Sequence, residues 1–134
     1  MADHLPINSI VEKDCIQGMK ELEEDSIDVV VTSPPYNIGV DYNSHDDELP
    51  FDDYLDWMEE FSAEVRRVLK PEGSFFLNIG DKPSDEFRSF KVAERISEHF
   101  NLQNTIHWVK HIAVPEEDLN IGHYKPVNSE RYLN

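Results

Sequence analysis

The chain has 134 residues, 39% hydrophobic and 10% aromatic, which suits a single domain spanning 1–134 around one core. It holds no apolar run of the roughly 18 residues a membrane helix requires, and Met1-Ala2-Asp3-His4 has neither the basic nor the apolar part of a secretory signal. The expectation is a cytoplasmic protein with no membrane partner. Cys15 is the single cysteine, which excludes an internal disulfide and a cysteine-based zinc cluster.

The formal net charge is -16, and it is unevenly spread. Residues 1–62 carry 17 acids and 2 bases, whereas residues 63–134 carry 11 acids and 10 bases. An acidic surface repels nucleic-acid phosphates. Two explanations leave a nucleic-acid partner open: an origin at high salt, where charge is screened, or a basic DNA-gripping segment outside this chain.

Ile7 to Val11 reads as a short strand. Ile16 to Glu24 reads as a helix, with Ile16, Met19 and Leu22 at helical spacing. Ile27 to Val31 is an Ile-Asp-Val-Val-Val run, the composition of a strand buried on both faces of a parallel sheet. Thr32 to Tyr36 then breaks the chain with two prolines, which neither continue a helix nor donate to a ladder.

Residues 37–50 form a polar, acidic loop. The clearest helix runs from Phe51 to Leu69, with a wide apolar stripe and charges that complement its dipole: Asp52 and Asp53 first, Arg66, Arg67 and Lys70 last. Pro71-Glu72-Gly73 is expected to stop it. Ser74 to Ile79 reads as a strand ending at Gly80. Ser84 to Phe100 reads as a helix with Phe87, Phe90, Ala93 or Glu94, Ile96 and Phe100 along one side, and Leu102 to Val109 as a strand. Residues 110–134 look irregular.

This alternation is that of an α/β protein with a mostly parallel sheet flanked by helices. Ligands of such sheets bind beyond the carboxyl ends of the strands. Thr32 to Tyr36 lies at one such end and Gly80-Asp81 at the next, so both are expected to face one crevice.

The Ser33-Pro34-Pro35-Tyr36 loop suits a particular problem, the methylation of an exocyclic base amine. The nitrogen lone pair is delocalised into the ring, so the amine is a poor nucleophile. Two acceptors converging on its hydrogens return the lone pair to nitrogen. Ser33 offers a hydroxyl oxygen and Pro34 a carbonyl, and Pro35 restricts Pro34 to extended conformations. Tyr36 offers a face on which a base can stack, worth about 1–3 kcal/mol. The base must first leave the duplex.

Thr32-Ser33-Pro34-Pro35-Tyr36-Asn37 after the Ile-Asp-Val-Val-Val strand resembles the catalytic motif of the N4-cytosine and N6-adenine DNA methyltransferases. Asp14-Cys15, the helix and turn from Trp57 to Gly73, Asn78-Ile79-Gly80-Asp81 and Ile106-His107-Trp108-Val109-Lys110 are similar to segments of that family in the same order. The resemblance covers nearly the whole chain. It implies a Rossmann-like S-adenosylmethionine-dependent methyltransferase fold, double-stranded DNA with an extruded target base as substrate, and a place in DNA methylation or restriction-modification. By resemblance Ser33, Pro34, Pro35 and Tyr36 are catalytic, Asp14, Cys15 and Asn37 lie at the cofactor, and Trp108 lines the base pocket. Serine at the first motif position resembles the cytosine subgroup; the chemistry of the loop leaves adenine N6 equally open. Similar Pro-Pro-Tyr motifs also serve glutamine side chains and RNA bases.

One departure stands out. Family members with this motif order follow it with a Phe-x-Gly-x-Gly cofactor segment and a target-recognition region. The five glycines here, Gly18, Gly39, Gly73, Gly80 and Gly122, are all isolated. The fold is therefore expected to be incomplete, with a second chain or a missing C-terminal segment supplying the cofactor site, or else to be a non-catalytic fragment that binds DNA or a partner.

Plainer roles compete at several positions. Asp14 suits a helix N-cap, Cys15 a small buried apolar residue, Trp57 the core, and Trp108 and Lys110 strand-end packing and a solvated charge. The acids Asp41, Asp46, Asp47 and Glu48 with His45 read as a solvated loop rather than a metal site. The six histidines show no metal-ligand spacing, and no metal is assigned.

Overall fold

The computed structural model describes residues 7–82 and 84–108. The chain divides into two compact units, Met1–Asn101 and Leu102–Asn134. In the first, the element order is α1 (Cys15–Met19), β1 (Ile27–Thr32), α2 (Phe51–Val68), β2 (Leu69–Leu77) and α3 (Arg88–Ile96). β1 and β2 pair in parallel, joined through α2, which is the strand–helix–strand unit expected of an α/β fold.

The helix α2 organises this unit. Tyr54, Met58, Phe61, Val65 and Val68 form its buried stripe at i, i+4, i+7, i+11 and i+14, and Ser62 joins them. Ile16 of α1, Leu69 of β2 and Val92 of α3 complete the buried cluster. Val30, Phe75 and Leu77 of the strands pack against it from the sheet. Each fully buried side chain of this size contributes about 1.5–3 kcal/mol. At the C-terminal end of α2, Arg67 donates to the carbonyls of Met19 and Leu22 at 2.6 and 3.0 Å, tying the α1 turn down.

Several boundaries differ from expectation, each for a physical reason. Ile7 to Val11 forms no strand: Ile7 and Ile10 are exposed, and the described sheet has two strands that pair only with each other. A parallel strand without a neighbour has no ladder to hold it. The first helix is the short α1 rather than Ile16 to Glu24: past Met19 the chain tightens into turns, with Glu21 N–H donating to the Gly18 carbonyl and Leu22 N–H to the Met19 carbonyl, and Arg67 donates to the carbonyls of Met19 and Leu22 there. The β1 strand is covered on one face instead of two. Val30 points into the core, while Val29 and Val31 are 52% and 74% exposed.

β2 begins at Leu69, immediately after α2, and passes through the segment expected to be a stop. That segment shows up as an irregularity. Ile27 pairs with Leu69 and Val29 with Ser74, so two steps along β1 answer five along β2. Pro71, which has no N–H to donate, lies in this excursion. Gly73 closes it. A Cβ there would sit 2.8 Å from the Leu69 side chain, 3.0 Å from the Lys70 carbonyl and 3.1 Å from the Asp28 carbonyl.

α3 spans Arg88–Ile96, shorter than Ser84 to Phe100, and its buried stripe is Arg88, Val92 and Ile96. Phe87 and Phe90 are 62% and 64% exposed instead of packed. The Arg88 guanidinium takes the inward position, 4.5 Å from the centre of the Phe51 ring. In the second unit, residues 102–108 adopt no strand, and Leu102, Ile106 and Trp108 are exposed. Val109, Lys110 and His111 lie outside the described residues. No helix among the described residues is long and apolar enough to cross a membrane.

Gly73→Ala should destabilise the chain by about 1–3 kcal/mol, since two of the three close atoms are backbone and cannot yield. Thermal unfolding followed by circular dichroism checks this. An unchanged midpoint would mean that the excursion relaxes freely.

Candidate active site

The two strand ends meet as the alternation required. The ladder continues one step beyond β1 and β2, where Asn78 N–H donates to the Thr32 carbonyl at 2.9 Å. Ser33 follows immediately. Its Oγ lies 2.7 Å from the Tyr36 Oη, and Asn78 Nδ2 reaches it at 3.4 Å. Gly80 brings bare backbone against the Tyr36 ring, where an added Cβ would stand 3.0 and 3.2 Å from two ring carbons. The motif and the Gly80 turn therefore lie against each other at the joined strand ends.

The loop is held from beneath by groups distant in sequence. Tyr54 Oη donates to the Pro35 carbonyl at 2.8 Å. Arg88 Nη1 donates to the carbonyls of Asn37 and Tyr36 at 3.2 and 3.4 Å. Three successive carbonyls, from Pro35 to Asn37, are thereby taken on the protein side. Burial pushes the Tyr54 phenol far above its ordinary pKa, against the pull of Arg88, so Tyr54 remains a protonated donor.

A second set of bonds closes the segment after the motif. The Asp47 carboxylate accepts from the N–H groups of Asn37, Ile38 and Val40 at 2.8, 3.0 and 2.9 Å, and the Asp47 carbonyl accepts from Gly39 N–H at 3.0 Å. Asn37 takes φ 57°, a left-handed value that asparagine tolerates better than most residues. Its amide donates to the Leu49 carbonyl at 2.8 Å and accepts from Leu49 N–H at 2.7 Å. Burial disfavours the Asp47 carboxylate, but the N–H groups of Val40, Ile38, Asn37 and Gly39 outweigh it and hold the group below the usual carboxylate range. A shallow groove of about 220 Å³ opens on this loop, lined by Ser33, Pro34, Tyr36, Ile38, Val40 and Tyr42.

The expected site residues fall into three places. Ser33, Pro34, Pro35 and Tyr36 share the turn after β1, with the Ser33 hydroxyl exposed and Pro34 buried. Asn37 adjoins them, but it is only 3% exposed and both ends of its amide are occupied by Leu49. Asp14 and Cys15 begin α1, where Asp14 caps the helix by accepting from Gln17 N–H at 3.0 Å. Cys15 is exposed, not buried as read from the sequence, and partial burial followed by the Asp14 carboxylate pushes its thiol pKa up. Trp108 belongs to the second unit and is 71% exposed.

Asp47 corrects the reading of its loop as solvated acid, for it is 3% exposed and engages three amides. Sequence reasoning also missed Tyr54, Arg88 and Asn78 as supports of the motif. Tyr54 carried a usable signal: a tyrosine on a buried helix stripe must place its hydroxyl somewhere. Arg88 and Asp47 carried none, since Arg88 stands between aromatics that read as the helix's apolar side and Asp47 lies in a run of acids.

A parallel strand–helix–strand unit with a braced turn at the joined strand ends fits an incomplete Rossmann-like methyltransferase fold. The comparisons name the family: residues 27–132 match the N6/N4 DNA methylase model, and the chain belongs to that family. It is 49% identical over 94 residues to the type II methyltransferase M.MjaVI of Methanocaldococcus jannaschii, covering 66% of this chain and 47% of that protein. It is 32% identical over 124 residues to M.BglII of Bacillus subtilis, covering 82% of this chain and 33% of the relative. A DNA adenine methyltransferase of Escherichia coli, YhdJ, is 33% identical over 69 residues, which is 52% of this chain and 24% of that enzyme. The chain thus spans about half or less of the length of these curated relatives.

Asp47→Asn should cost about 1–3 kcal/mol at neutral pH, because the new NH₂ group would face backbone donors. The native carboxyl has a lowered folded-state pKa. Its contribution is therefore present above the ordinary value of about 3.9 and is lost as pH falls through the lower folded value. Thermal midpoints of the two proteins should converge on acidification. A gap that stays constant with pH would contradict the charged clamp.

Proposed function

We propose that this chain carries the base-methylating half of an S-adenosylmethionine-dependent DNA amino-methyltransferase acting on N4 of cytosine. The carrying observation is the Ser33–Tyr36 turn at the stitched ends of β1 and β2 in a member of the DNA methylase family. Double-stranded DNA with one extruded base is the substrate. The Ser33 hydroxyl and the Pro34 carbonyl accept the two amine hydrogens and make the nitrogen nucleophilic, while Tyr36 stacks on the ring. Holding the amine in line with the methyl group supplies much of the rate. The supports under Pro35, Tyr36 and Asn37 favour this role, since they fix the turn before any substrate arrives.

The residues present fit the acceptor side of this reaction. S-Adenosylmethionine supplies an electrophilic methyl group when bound. Asp14, Cys15 beside it and Asn37 are the cofactor-side candidates in this chain, but the isolated glycines make no backbone cradle. That cradle would come from a second chain or a further C-terminal segment, as would the basic surface needed against DNA phosphates. Trp108 is proposed to line the base pocket. Adenine N6 is the second reading, favoured by the similarity to the Escherichia coli adenine enzyme.

Nucleoside mass spectrometry decides between them. Unmethylated DNA incubated with S-adenosylmethionine and this chain, joined to its complementing segment, should gain N4-methylcytosine. N6-methyladenine would select the second reading. Tyr36→Ala should reduce transfer by about fivefold or more, the loss of one stacked base contact. Near-normal turnover in that variant would remove the loop from the mechanism.

A further inference from the structure

The segment after the motif is built as carefully as the motif, yet the amine chemistry uses none of it. Ile38, Val40 and Tyr42 are 38%, 43% and 44% exposed, three apolar side chains left open to solvent on one short stretch. They line the same groove as Ser33, Pro34 and Tyr36. The stretch is not a loose loop: three of its amides converge on Asp47, whose side chain is withdrawn from solvent. The Ile38 and Val40 N–H groups are taken inward, which leaves their side chains for the groove. Tyr42 stands at the far end of this wall and meets His45 edge-on, ring centres 6.2 Å apart.

We propose that Ile38, Val40 and Tyr42 form a second, apolar wall of the target-base site, opposite the acceptors of the motif, and that Asp47 is the positioning residue that holds this wall in place. The inference rests on the base-binding reading of Ser33 to Tyr36 and adds a surface to it. The ligand class is a planar, uncharged nucleobase, held on its faces by apolar and aromatic side chains while the motif addresses its edge. A clamped apolar wall suits a base, because its rigidity was set on folding and little ordering entropy remains to oppose binding.

The test uses deoxycytidine as probe, a nucleoside without phosphate, which avoids repulsion by the acidic chain. Nitrogen-15 NMR titration of the full chain should move the signals of Ser33 and Tyr36 together with those of Ile38, Val40 and Tyr42. Tyr42→Ala, an exposed-position change that leaves the core untouched, should weaken the affinity by about fivefold or more, the lower bound for one stacking contact. Asp47→Asn, measured at a temperature where the α2 and β1 signals remain native, should weaken it similarly, and Asp47→Glu should recover part of the loss. Shifts confined to Ser33–Tyr36, with affinity unchanged in Tyr42→Ala, would overturn the second wall while leaving the base-binding reading intact. An Asp47→Asn variant that binds normally would overturn the positioning role alone. No shift at any of these residues would overturn the base-binding reading itself, and this proposal with it.

Discussion

Everything described in the first unit leans on the apolar face of α2. The helix receives α1 at one end, α3 along its flank and the inward side of both strands, and it sends Tyr54 up to the Ser33–Tyr36 turn. One residue thus serves two levels of the structure. The Tyr54 ring is wholly buried in the core while its hydroxyl fixes the Pro35 carbonyl. Because the ring cannot move without opening the core, the turn inherits the rigidity of the packing. The geometry of the site is in this sense a property of the helix.

The loop between β1 and α2 adds a different kind of restraint. Core packing is non-directional, so it sets distances but not the direction of a peptide plane. Asp47 and Asn37 supply direction through hydrogen bonds to backbone groups at known ends. Arg88 does the same from α3, with its charge set over the Phe51 ring and beside Asp85 at 3.8 Å. A charged guanidinium in that position costs desolvation, and carbonyl dipoles together with an aromatic face offset it. The motif is therefore braced from α2, from α3 and from the loop that follows it.

These braces mark the division between what the sequence reveals and what it hides. The α2 helix, the β-branched run of β1 and the Pro-Pro break were all legible, because periodicity and proline chemistry are local. The Ser33–Tyr36 turn stood out too, since its residues are contiguous and chemically unusual. Burial was not. Ile7 to Val11 and Leu102 to Trp108 have strand composition, yet strands exist only where a neighbour supplies the ladder, and composition cannot name the neighbour. Phe87 and Phe90 looked like core and Arg88 like surface, and the structure reverses them because Phe51, more than thirty residues earlier, offers a ring to a cation. Asp47 looked like one solvated acid among many, and nothing within its own stretch announces that three amides turn toward it.

The half-covered sheet has a consequence for how copies of this chain behave in solution. With two strands in the described sheet, each has an outer edge, and Val29, Val31 and Phe76 present an apolar surface on the uncovered side. Open edges beside apolar faces are templates for strand pairing between molecules. The formal charge of -16 works against that encounter, since two such bodies repel before their edges can meet. The acidity that looked at first like an argument against a DNA partner therefore acts as a colloidal safeguard, one that weakens as salt shortens the reach of the repulsion.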